Sequence, residues 1–100
     1  MPAPSRVLLL TRRGCHLCVD AESAVRRIAT DLGVSWRAVD VDEDERLRAR
    51  FTDHVPVTFV DQQLHGYWFV DEAALRDALI HGAPRDMADD WIAALPLKET

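Results

Sequence analysis

The chain reads as an α/β domain with the element order βαβαββα, a four-stranded mixed sheet flanked by helices. Three observations predict this. A near-continuous apolar run lies close to the N-terminus, amphipathic helical and alternating strand-like segments then take turns, and two closely spaced β-rich runs precede a last capped helix. With 100 residues and 48% hydrophobic content, the chain suits one domain spanning 1–100, with a core over about 6–81 and a C-terminal extension over 85–100.

The first strand is Arg6-Val7-Leu8-Leu9-Leu10, bounded by Pro4 and Gly14 and apolar enough to be buried on both faces. From Leu17 the period changes. Leu17, Ala21, Ala24, Val25, Ile28 and Leu32 recur at three and four, with Asp20, Glu22, Arg26, Arg27 and Asp31 on the other side, and Gly33 stops the helix. Val34 to Val41 alternates apolar and polar residues as a half-buried strand does, with Trp36 assigned to the core. Strand, helix and strand in sequence predict a right-handed parallel crossover.

Asp42 and Glu45 have capping-box spacing for a short second helix whose core face is Leu47 and Phe51, and Asp40 with Glu43 competes for that start. Val55 to Val60 and Leu64 to Phe69 then form a hairpin across Asp61-Gln62-Gln63, with Pro56 at the strand entry because a proline inside a central strand removes a hydrogen bond. Asp71 caps a third helix, Val70 and Leu75 staple it, Leu75, Ala78 and Leu79 face inward, and Gly82 and Pro84 close it. Met87, Trp91, Ile92 and Leu95 recur at helical spacing in a short terminal helix. Of the run Tyr67-Trp68-Phe69 only one face can be buried. Trp68 is expected to pack on the terminal helix, the alternative being exposure along a partner groove.

Charge narrows the function classes. A net charge of -5 without any Lys/Arg-rich block leaves no field for a polyphosphate, so a nucleic-acid partner is not expected. The run Val7 to Leu10 is shorter than a signal-peptide core of ~7–15 residues or a membrane helix of ~20, so a cytoplasmic protein without a membrane partner is expected.

The two cysteines stand as Cys15-His16-Leu17-Cys18, the first just after the first strand and the second entering the first helix. Helix N-termini present free N–H groups and favour a thiolate, lowering a cysteine pKa from ~8.5 to about 3.5–7.5. Cys15 is then the nucleophile toward a disulfide, and Cys18, one turn on and more enclosed, resolves the mixed disulfide. The competing reading makes the pair inert core residues. A metal reading needs two further ligands, for which His54 and His65 are the nearby residues, at no recognised spacing, and no metal site is assigned.

Thr11-Arg12-Arg13-Gly14-Cys15-His16-Leu17-Cys18, followed by Val55-Pro56-Val57-Thr58-Phe59 and then Gly66, resembles the glutaredoxin-like branch of the thioredoxin fold over roughly Arg6 to Ile80. The resemblance implies a thioredoxin-like topology, a redox dithiol at Cys15 and Cys18, and a cis bond between Val55 and Pro56. It further implies substrate contacts at Arg12, His16, Leu17, Val55, Pro56 and Gly66. Arg12 matches a position usually basic in glutaredoxins, where it stabilises the thiolate or a carboxylate-bearing partner; Arg13 is a weaker candidate for that work. His16 is either a cation at the helix end that stabilises the thiolate or a solvated turn residue. His16-Leu17 replaces the Pro-Tyr usual in glutathione-using glutaredoxins, and Tyr67 to Val70 replaces their Gly-Gly followed by acidic residues. The expectation is thus a monomeric thiol–disulfide oxidoreductase with no bound cofactor, glutathione or another low-molecular-weight thiol as co-substrate, and a disulfide-containing protein or small thiol as partner. The rival is a non-catalytic thioredoxin-fold module that binds a partner or a metal.

Overall fold

A computed structural model describes residues 5–51 and 53–95. The elements are β1 (Val7–Thr11), α1 (His16–Leu32), β2 (Trp36–Asp40), a 3-10 turn (Val41–Glu43), α2 (Glu45–Phe51), β3 (Val57–Val60), β4 (Gln63–Tyr67), α3 (Glu72–His81) and α4 (Asp89–Ala93). The strands lie in the order β2-β1-β3-β4. β1 runs parallel to β2 and antiparallel to β3, and β3 is antiparallel to β4.

The apolar run in β1 occupies the sheet centre, and its side chains supply both faces. Leu8 and Leu10 join Val41, Leu47, Phe51, Val57 and Phe59 on one side; Val7 and Leu9 join Val25, Ile28, Leu75 and Leu79 on the other. All four β1 residues from Val7 to Leu10 are fully buried. α1 and α3 cover the second face together, tied across their surface by ion pairs Arg76–Asp31 at 2.8 Å and Arg27–Glu72. The first face takes α2 and the terminal segment, where Met87, Ile92 and Leu95 enter the same cluster as Leu8. Met87 also bridges to Ser5 through its backbone N–H, and Trp91 meets Phe59 edge-on at 5.7 Å.

Several local expectations need correction. β2 begins at Trp36, two residues later than the alternation implied, and Trp36 is half-buried at the rim of its cluster with the Arg26 guanidinium 5.6 Å over its ring. The Asp42 cap is not used. Asp40 instead accepts the Asp42 N–H at the 3-10 turn, and Asp44 accepts the N–H groups of Arg46 and Leu47 at the start of α2.

The β3–β4 connection is the two residues Asp61 and Gln62, at φ 50° and 70°, the left-handed pair that matches the twist of a tight hairpin. Gln63 therefore belongs to β4. That strand ends at Tyr67, so Trp68 and Phe69 lie beyond it. Trp68 does not pack on the terminal helix: its ring stacks on His54 with 14° between planes, and Trp91 takes the contact with Phe59. Among the described residues no helix is long and apolar enough to cross a membrane. The terminal residues 96–100 of the C-terminal extension lie outside the described residues.

Candidate active site

Sheet register decides what gathers around the two cysteines. Leu10 pairs with Val57 and Thr11 with Asp40, so the end of β1, the end of β2 and the entry to β3 share one edge of the sheet. Tyr67 pairs with Val57 and brings the residues after β4 to that edge as well. The β1–α1 loop carries Cys15 out of this edge. Gly14 makes the turn at φ 78°, where a side chain is disfavoured although space is open around it.

Cys15 is the N-cap of α1, with extended backbone (φ -97°, ψ 111°), and its Sγ accepts the backbone N–H of Cys18 at 3.1 Å. The two cysteines are joined as a disulfide with Cα atoms 5.2 Å apart, inside the usual range for such a bridge. Cys15 is half-buried, whereas Cys18 is only 4% exposed. The pair thus presents one sulfur to an incoming molecule and keeps the other behind it, at the positive end of a 17-residue helix with no acidic residue in its first turn.

The disulfide opens into a cleft of about 390 Å³, whose lining includes Arg12, Arg13, His16, Glu22 and Asp40. Arg12 is exposed, with Nε 3.4 Å from Asp42 Oδ2, an ion pair too wet to immobilise it. His16 is exposed as the first helical residue, and Leu17 is 49% exposed without lining the cleft. Val55 is half-buried against the core, Pro56 is buried, and the bond between them is cis. Neither lines the cleft at the disulfide; both precede β3, at the end of the sheet where β1 finishes. Gly66 pairs with Thr58 inside the hairpin, half-buried, one residue before the strand end.

Neither Asp40 nor Glu22 is marked in the sequence as a site residue: Glu22 lies one helical turn after Cys18 on α1, whereas Asp40 reaches the same cleft only through the pairing of β2 with β1. His54 and His65 do not converge. His54 sits by the β3 entry, while His65 lines a separate cleft of about 400 Å³ with Asp61 and Arg85, beyond the far end of β3. Burial pushes the His65 pKa down against the pull of Asp71. Among the described residues no group of three or more His, Cys, Asp or Glu is arranged to hold a metal ion.

The glutaredoxin-like domain (DUF836) family model matches residues 6–80. The uncharacterized proteins Mb0520 of Mycobacterium bovis and Rv0508 of Mycobacterium tuberculosis are each 37% identical to this chain over 89 residues, covering 81% of it and 92% of their own length. The crystal structure of XcR50 from X. campestris superposes with a TM-score of 0.61 at 28% identity, over 78% of this chain and 99% of the other. Glutaredoxin from Brucella melitensis shares the fold alone, with a TM-score of 0.51 at 18% identity over 97% and 95% of the two chains. With the strand order, the capped dithiol and a family match over most of its length in agreement, the chain belongs to the glutaredoxin-like (DUF836) family of thioredoxin-fold proteins.

Proposed function

We propose that the protein is a thiol–disulfide oxidoreductase in which Cys15 attacks and Cys18 resolves. The observation that carries this reading is the asymmetry of the pair: Cys15 is the accessible N-cap of α1, and Cys18 is buried within bonding reach of it. In the reduced protein the N-terminus of α1 favours the Cys15 thiolate, which is the nucleophilic form. Attack on a substrate disulfide forms a Cys15–substrate disulfide and expels the substrate's second sulfur as a thiolate, which takes a proton from water. Cys18, as thiolate, then attacks Cys15 Sγ, forms the Cys15–Cys18 disulfide and expels the first substrate sulfur. One substrate disulfide is reduced and the protein dithiol is oxidised. Two equivalents of a low-molecular-weight thiol such as glutathione, or one dithiol, reduce the protein again and complete the cycle.

Arg12 and Arg13 at the cleft mouth suit a carboxylate on that small thiol or on the substrate chain. Val55 and Pro56 are the backbone against which the substrate segment lies, His16 and Leu17 flank the reacting sulfur from the helix, and Gly66 leaves room behind the β3 entry. The test uses Cys18→Ser, which lacks the resolving sulfur. Mixed with a disulfide substrate, this variant accumulates a covalent adduct at Cys15 visible by intact mass, and Cys15→Ser accumulates none. Absence of an adduct with every disulfide tried, from glutathione disulfide to insulin, refutes the reading.

A further inference from the structure

Trp68 has a backbone that its side chain does not favour. Its φ is 70°, in the left-handed region that a bulky residue occupies only when its surroundings hold it there. The N–H of Phe69 reaches back to the Tyr67 carbonyl at 2.8 Å, so Trp68 is the centre of a three-residue turn of the rare, strained hand. Core packing does not explain this, since Trp68 is 48% exposed and Phe69 70%.

Everything that Trp68 holds lies in one place. Its backbone N–H donates to the Pro56 carbonyl at 2.7 Å, and its indole Nε1–H donates to the Asp53 carbonyl at 3.2 Å. Its ring stacks on His54, with centroids 6.2 Å apart, and the Tyr67 ring, 5.8 Å from the indole, meets the same imidazole at 4.9 Å. Residues 53–56 are the connection from α2 into β3, at the sheet edge that also carries Cys15. The N–H bond to Pro56 continues the hairpin ladder one rung beyond Val57–Tyr67; the left-handed residue at 68 ends β4 after that rung, and its indole reaches the same connection.

We propose that Trp68 is a positioning residue for disulfide exchange: it braces the 53–56 connection at three points so that the Val55–Pro56 backbone stands ready for the incoming disulfide. The inference rests on the oxidoreductase reading above. A loop already in its binding shape loses less freedom when substrate arrives, and exchange gains through the encounter without any change at the sulfur.

The test compares Trp68→Gly and Trp68→Phe with the wild type, using bis(2-hydroxyethyl) disulfide and insulin as substrates and dithiothreitol as reductant. Glycine adopts the turn freely and keeps the backbone N–H but removes the ring and the indole donor; phenylalanine keeps a ring on His54 and removes only the donor. We expect kcat/KM to fall about tenfold or more in Trp68→Gly and about threefold in Trp68→Phe for both substrates. The alkylation rate of reduced Cys15 by iodoacetamide stays within about twofold of wild type in each, a readout that general loosening of the site would move. A folded Trp68→Gly with wild-type kcat/KM overturns the inference, as does an alkylation rate that falls in step with activity. If Trp68→Gly does not fold, Trp68→Phe decides in the same way. A wild type inactive on every disulfide refutes the oxidoreductase reading and this inference with it, whereas an active wild type and an equally active Trp68 variant refute this inference alone.

Discussion

Replacing Asp61 by asparagine removes one charge from the network that ties the β3–β4 hairpin to the chain preceding β1. Asp61 is 8% exposed, and its carboxylate accepts from Arg6 Nε and Nη2 at 2.9 Å each and from the Arg85 backbone N–H at 3.0 Å. Its φ of 50° is tolerated by asparagine nearly as well as by aspartate, so the substitution isolates the charge from the turn. Hydrogen bonds to charged groups are worth about 1.5–3 kcal/mol each, and the Arg6 side chain, 15% exposed, recovers little water when its partner weakens. We therefore expect Asp61→Asn to lose about 2 kcal/mol at pH 7, and Asp61→Ala about 3–5 kcal/mol because the Arg6 guanidinium and the Arg85 N–H then lose their acceptors as well as the charge.

The pH dependence of that loss has a definite sign. Burial pushes the Asp61 pKa up, but the Arg6 hydrogen bond, the Arg85 N–H and the Arg6 charge outweigh it, and the pKa lies below the ordinary carboxylate value. A lowered folded pKa gives stabilisation that is complete above the unfolded value, about 3.9, and is lost as pH falls through the folded one. Urea denaturation of wild type and Asp61→Asn should give a constant gap from about pH 7 to pH 5 that narrows below about pH 4, with unchanged denaturant slopes. Equal stability at pH 7, or a gap that widens on acidification, would refute the reasoning.

Two further substitutions probe the packing that supports the site. Phe59 is 6% exposed and meets Phe51 and Trp91 edge-on, so Phe59→Ala should cost about 3–5 kcal/mol in chemical denaturation and weaken the near-UV circular dichroism; a loss under about 1 kcal/mol would contradict the contact. A Cβ at Gly82 would run into the Ala78 carbonyl oxygen and reach 3.4 Å from Asp61 Oδ2, although φ at -77° is ordinary. Gly82→Ala should therefore lose about 1–3 kcal/mol by thermal unfolding, from crowding alone, and an unchanged midpoint would show that the end of α3 yields freely.

What was legible in the sequence was local. Val7 to Leu10 could satisfy their burial only at a sheet centre, and Leu17 to Leu32 carried a helical period ending at Gly33, which takes the left-handed cap at φ 66°. The dithiol was legible for the same reason, since three residues of separation at a strand-to-helix junction describe its geometry nearly completely. Five acidic residues within Asp40 to Glu45 defeated the reading of the α2 cap, because each can accept an N–H and only the course of the chain selects Asp40 and Asp44. Trp68 and Phe69 defeated the strand boundary: their intrinsic preference is for strand, and no glycine or asparagine marks the left-handed turn. Asp40 beside Cys18, and the separation of His54 from His65, follow from strand pairing across long intervals of chain, which periodicity does not encode.

The central place of β1 bears on how the protein is made. A ribosome releases Val7 to Leu10 well before their antiparallel neighbours, which run from Val57 to Val60, and Ser5 waits for Met87 later still. Parallel pairing with β2 leaves one flank of the emerging strand open, a sticky apolar template, until the chain through Val60 has been translated. The β1 flank is thus closed only once β3 is available, and nascent chains stalled before residue 60 should be the species that chaperones hold.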